Sequence, residues 1–177
     1  MLYNLKGPTM NNISLFTCII SLATCFSSFS IPKKGTMAPD VEFRDQNNKI
    51  IKISDFLGQK LALVFLPSTS GWSIHCKAQA CSIKAGLEDL VDYGIALTCI
   101  SADSNEKLHK FITSNSLTFP LLHANKSAIK AYDVDALIGI ARYTFLIDEN
   151  GLIVKVITKV DVDNHAQQII DGFNTTQ

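Results

Sequence analysis

Two cysteines five residues apart, Cys76 and Cys81, stand at the end of the segment PSTSGWSIHCKAQAC, which runs from Pro67 to Cys81. The segment follows the continuous apolar run Leu61–Leu66 (LALVFL), which has the length of a buried strand, and it leads into residues with helical periodicity. A cysteine there meets the unpaired backbone N–H groups and the positive end of the helix dipole, and both favour thiolate over thiol. A free cysteine titrates at about 8.5, and helix N-termini commonly lower that value. Only the thiolate is a good nucleophile, so Cys76 is the candidate attacking atom. Lys77 is its neighbour in sequence. Position alone leaves open a second reading, a buried small apolar residue.

On an ideal helix, residues five apart rise about 7.5 Å and rotate about 140°, which puts their Cα atoms roughly 9 Å apart. Disulfides rarely tolerate more than about 7 Å. A bond between Cys76 and Cys81 therefore requires the first turn of the helix to unwind. The remaining cysteines are Cys18, Cys25 and Cys99. The odd total does not fit a disulfide framework, and there is neither a CxxC pair nor a His/Cys cluster at zinc spacing. Cys99 reads as core, and Cys18 and Cys25 as apolar filler.

The elements that must hold Cys76 follow from periodicity. Val41–Phe43 and Lys49–Ile53 are short strand candidates around the polar turn Asp45–Asn48, and Ser54 is placed to cap the turn Asp55–Gly58. A helix is expected from Ser73 or Ile74 to Val91, with Ala80, Ile83, Leu87 and Leu90 on its apolar face. Gly94–Ser101 is a second buried strand. Glu106–Thr113 forms a helix after Ser104, Leu121–His123 is extended, and Ala128–Tyr132 is a short helix. Tyr143–Ile147 and Leu152–Ile157 flank Asn150-Gly151, a strong hairpin signal. The last helix spans Asn164–Phe173. This order predicts an α/β fold, a mixed sheet with helices on both faces, which is the shape of the thioredoxin architecture.

The 177 residues suffice for one domain with a real core, and an apolar content of 47% excludes general disorder. Sixteen basic residues balance sixteen acidic ones, so no electrostatic argument points to nucleic acid. The chain divides into an N-terminal segment, 1–32, and a domain, 33–177. Ile13 to Ile31 carries no charge. Lys6, the run Leu15–Ala23 and the small residues Ser28 and Ser30 fit a secretory signal, while the uncharged length fits a membrane anchor. Either would place the domain outside the cytoplasm or at a membrane, and otherwise it would be cytoplasmic; a transit peptide fits less well, and Met10 and Met37 are alternative first residues.

Several motifs in order give the chain a family resemblance. Ala38-Pro39-Asp40, HCKAQACS at 75–82, ISADSNEKLHKF at 100–111, LTFPLL at 117–122, RYTFLIDENG at 142–151 and the pair His165-Ala166 together resemble the peroxiredoxins, most closely the bacterioferritin comigratory protein or peroxiredoxin Q subfamily. The resemblance covers Lys34 to Phe173. It implies the thioredoxin-like fold and a thiol-dependent peroxidase acting on hydrogen peroxide and organic hydroperoxides. In that cycle Cys76 is peroxidatic and becomes a sulfenic acid, and Cys81 is resolving and forms a disulfide with it. Thioredoxin or a similar dithiol reduces the bond. The resemblance implies no metal or organic cofactor, and by analogy a monomer. It also implies that Arg142 faces the sulfur and stabilises the thiolate. Ser73, three before Cys76, would hydrogen-bond the peroxide or simply cap the helix. Pro67 would shield the sulfur, although the subfamily's proline position falls on Thr69 and the loop carries two extra residues near Gly71 and Trp72. His75 reads as an exposed histidine, and His123 and His165 as plain loop and helix-start residues.

Two other functions remain open to the sequence. One is an exported or membrane-tethered thiol–disulfide oxidoreductase without peroxidase activity, against which the missing CxxC argues. The other is a non-catalytic or metal-holding domain using His75, Cys76 and Cys81.

Overall fold

A computed structural model of the chain describes residues 30–67, 74–137 and 139–175. Residues 1–29 of the proposed leader with Cys18 and Cys25, and the loop 68–73 with Ser73, lie outside the described residues.

Seven strands form one mixed sheet in the order β2-β1-β5-β4-β3-β6-β7. They are β1 (Glu42–Arg44), β2 (Ile50–Lys52), β3 (Lys60–Phe65), β4 (Ile95–Ser101), β5 (Leu121–Ala124), β6 (Thr144–Ile147) and β7 (Ile153–Ile157). β3, β4 and β5 run parallel, and β6 pairs antiparallel with β3 on the other side. The central run LALVFL is buried because both of its faces are covered. Ala62 and Val64 point into one core layer, with Cys99, Leu108, Leu121 and Leu146. Leu61, Leu63 and Phe65 point into the other, with Phe43, Ile100, Tyr132 and Phe145. This period-two alternation is what a strand between two helical layers requires. In the second layer Phe65, Tyr132 and Phe145 pack with ring centroids 5.0–5.7 Å apart.

The helices are α1 (Ile74–Ala85), α2 (Leu87–Asp92), α3 (Asn105–Asn115), α4 (Lys126–Tyr132) and α5 (His165–Asn174). The single helix expected up to Val91 is divided at Gly86. A Cβ at Gly86 would lie 2.4 Å from the Cβ of Ala166 on α5, so the missing side chain lets the two segments touch. Ser54 does not cap its turn: it lies within a short 3₁₀ turn, Ile53–Phe56. There the Asp55 carboxylate accepts the Lys52 N–H at 2.8 Å and Asp40 accepts the Ser54 N–H at 3.0 Å. The hairpin turn falls where Asn150-Gly151 put it. Gly151 has φ +84°, and one Asp148 oxygen accepts the N–H groups of Asn150 and Leu152 at 2.9 and 2.8 Å.

Sheet order explains how distant residues meet. Val64 pairs with Thr144, and the Phe65 N–H donates to the Tyr143 carbonyl at 2.8 Å. Arg142 therefore lies beside the point where the chain leaves β3 toward α1.

Candidate active site

Cys76 occupies the first turn of α1 and is 2% exposed, whereas Cys81, one and a half turns on, is exposed. Both are free thiols. One continuous helix carries both, so the helical spacing that separates them in the sequence reading holds in the reduced protein.

Arg142, just before β6, reaches over the start of α1. Its Nη2 donates to the Cys76 sulfur at 3.3 Å, and its Nη1 donates to the Gln79 side-chain oxygen. A planar guanidinium can satisfy both at once because its donors are fixed in a fork. The sulfur thus sits at a helix start with a permanent positive charge against it.

Behind the guanidinium lies a buried polar chain that the sequence reading missed. Gln79 Nε2 is 2.9 Å from His165 Nδ1, and His165 Nε2 is 3.0 Å from Thr144 Oγ1. Gln79, Thr144 and His165 are all fully buried. The His165 backbone N–H also donates to Ser82 Oγ at 2.8 Å, which ties the start of α5 to α1. His165 is therefore not a plain helix-start residue: α5 packs its first turn between α1 and β6, which takes the ring out of bulk water. Burial, and then the Arg142 charge, push its pKa down to about 4, with Asp161 opposing. A sequence signal for this chain existed. Gln79 follows Cys76 by three on the inward face of α1, and Thr144 opens a strand that is buried throughout. Polar residues at such positions require partners.

The other expected residues fall as follows. Pro67, two residues beyond β3, is half-buried, and its carbonyl accepts the Ile140 N–H at 3.5 Å. Ser73 lies outside the described residues. His75 is exposed, and His123 Nδ1 lies 2.8 Å from the Asp103 carbonyl. Cys99 is completely buried in β4, and burial pushes its thiol far up, which fits packing rather than chemistry. Among the described residues no group of three His, Cys, Asp or Glu side chains could hold a metal ion, and no helix is long and apolar enough to cross a membrane.

A thioredoxin-like sheet with a buried cysteine at a helix start under an arginine fits the class of thiol-dependent peroxidases. The AhpC/TSA family pattern matches residues 34–156, and the chain belongs to that family. It is 33% identical over 153 residues to a putative Bcp peroxiredoxin of Haemophilus influenzae, across 77% of this chain and 93% of that one. It is 32% identical over 147 residues to the peroxiredoxin Bcp of Bacillus subtilis, across 77% and 91%. The bacterioferritin comigratory protein of Xanthomonas campestris, whose structure was determined to study alkyl peroxide reduction, superposes with a TM-score of 0.73 at 21% identity, over 84% of this chain and 98% of that one. The protein is accordingly a peroxiredoxin, a thiol-dependent peroxidase that takes a peroxide substrate and a thiol reductant. The alternative of an oxidoreductase without peroxidase activity is not favoured.

Proposed function

We propose that Cys76 is the attacking residue and Cys81 the resolving one. The single observation behind this is the Arg142 guanidinium donating to the Cys76 sulfur at 3.3 Å. The thiolate attacks the peroxide's terminal oxygen, forming an S–O bond as the O–O bond breaks. Sulfur is oxidised by two electrons, and the departing hydroxide or alkoxide takes a proton to leave as water or alcohol. Arg142 holds the thiolate and donates to the peroxide oxygens as negative charge builds on the leaving one. The Cys81 thiol then displaces hydroxide from the Cys76 sulfenic acid, giving a disulfide and water. A dithiol protein of the thioredoxin kind restores both thiols by exchange. Hydrogen peroxide and organic hydroperoxides are both substrates in this reading. Its support is the likeness to a protein studied for alkyl peroxide reduction.

Ser73, three residues before Cys76, would donate to the peroxide, and Pro67 would shield the sulfur. Subfamily resemblance favours a monomer. The uncharged stretch from Ile13 to Ile31 favours a leader or anchor in 1–32, with the enzyme exported or held at a membrane.

Peroxide consumption with thioredoxin, its reductase and NADPH tests the assignment. Cys76→Ser is expected to abolish turnover. Cys81→Ser is expected to consume one peroxide per chain and then stop. Sustained turnover by Cys76→Ser would overturn the proposal.

A further inference from the structure

The polar chain behind Arg142 has only one consistent arrangement of hydrogens. A guanidinium is a donor only, so the end of the Gln79 amide that faces it must be the oxygen. The other end, the Nε2 amide group, is then a donor directed at His165 Nδ1 at 2.9 Å. Nδ1 must accept, and so carries no hydrogen. A neutral imidazole with a bare Nδ1 has its hydrogen on Nε2, where it donates to Thr144 Oγ1 at 3.0 Å.

We propose that His165 is a positioning residue for the peroxide reaction. By presenting Nδ1 as an acceptor, its uncharged ring fixes the Gln79 amide with its oxygen toward Arg142 and so keeps the guanidinium on the Cys76 sulfur. The inference rests on Cys76 as the attacking residue.

Adding a proton to His165 would set an N–H against the Gln79 amide N–H group. Turning the amide would relieve that contact but press the same group against the guanidinium. Full burial of Gln79, Thr144 and His165 keeps bulk water from compensating. The groups around the ring are Gln79 from α1, Arg142 and Thr144 from the β6 side, and Asp161 from the loop before α5, while Ser82 of α1 holds the His165 backbone N–H. Arg142 opposes the proton and Asp161 favours it. The Ser82 bond to the His165 backbone keeps the ring in register with the helix that carries both Cys76 and Gln79.

Two substitutions separate positioning from simple packing. The amide oxygen of His165→Asn can take the place of Nδ1, whereas the longer His165→Gln reaches the place of Nε2 and leaves Gln79 without its acceptor. The measurement is the second-order rate of the reduced protein with hydrogen peroxide. His165→Gln is expected to lose about tenfold through misplacement of the guanidinium. His165→Asn should stay within about threefold of wild type, since a good acceptor remains. In an Arg142→Ala background His165→Gln should cost nothing further, because it acts through that arginine. Equal losses in the two variants, no loss in His165→Gln, or the same loss with and without Arg142 would each overturn the proposal. The ring nitrogens of the reduced wild type, read by ¹⁵N NMR, give a check that needs no variant. The Nε2–H tautomer is expected, and a hydrogen on Nδ1 at neutral pH would overturn the proposal. Peroxide reaction persisting in Cys76→Ser would overturn the assignment of Cys76 instead, while the tautomer would still judge the relay.

Discussion

Arg142 donates to the sulfur of Cys76 across 66 positions of chain. The contact is a product of sheet register. β3 and β6 pair antiparallel with Val64 opposite Thr144. The residue two before Thr144 therefore overhangs the end of β3, where the chain turns into α1. A shift of one residue in that pairing would send Arg142 to the opposite face of the sheet.

Replacing Arg142 tests what the contact contributes. Arg142→Ala is expected to slow peroxide reduction by about a hundredfold, the usual cost of removing one charge-stabilising donor. Arg142→Lys keeps the charge but cannot reach Gln79 and the sulfur together. It is expected to recover only part of the rate, about tenfold below wild type. Stopped-flow rates against peroxide concentration measure both, and a fully active Arg142→Lys would show that charge alone suffices.

Disulfide formation is expected to melt the start of α1. Cys76 is buried and Cys81 exposed on one continuous helix, and their ideal Cα separation of roughly 9 Å exceeds the roughly 7 Å a disulfide spans. Hydrogen exchange on peroxide-treated protein should therefore show lost protection over residues 74–82, with β3 and β4 unchanged. A Cys76–Cys81 bond formed with that protection intact would contradict the requirement for unwinding.

Much of this was legible because its signals are local. The run LALVFL, the Asn150-Gly151 turn and the placement of Cys76 after a strand each lie within a few neighbouring residues. The pairing of Arg142 with Cys76 came from the family resemblance, since no spacing rule links residues so far apart. His165 could not be placed in the same way. A histidine opening a helix looks the same in sequence whether its ring meets water or a buried amide, and burial here comes from how α5 packs on α1 and β6. The break at Gly86 was missed for a related reason: helical periodicity continues through it, and only the contact with Ala166 shows why no side chain fits.

That contact gives a second route to the site. Gly86 has φ −99°, a backbone that alanine adopts without strain, so Gly86→Ala tests crowding alone. The new methyl would lie 2.4 Å from Ala166 Cβ, and a Cβ can yield only if the backbone moves. Displacing α5 is expected to cost about 1–3 kcal/mol of stability, as overpacking does. Since Ala166 adjoins His165, the peroxide rate should fall as well. Urea denaturation and stopped-flow kinetics on the same variant check the pair of effects, and stability lost with an unchanged rate would separate the α5 contact from the site.

Acid should weaken the fold through His165. The ring's ordinary pKa of 6.5 is lowered to about 4 by burial and by the Arg142 charge, so the native state resists a proton that the unfolded chain accepts. Between those two values the unfolded chain binds more protons, so stability rises with pH across the interval. The contribution is complete above about pH 6.5 and is lost progressively as pH falls toward 4. A displacement of this size corresponds to about 3 kcal/mol. Carboxylates titrate over part of the same range, so the measurement is the difference in unfolding free energy between wild type and His165→Gln, which has no ring to titrate. That difference should shrink, or change sign, as pH is lowered from 7 to 4. A difference that stays constant with pH would mean that His165 accepts its proton in the folded protein as readily as in the unfolded chain.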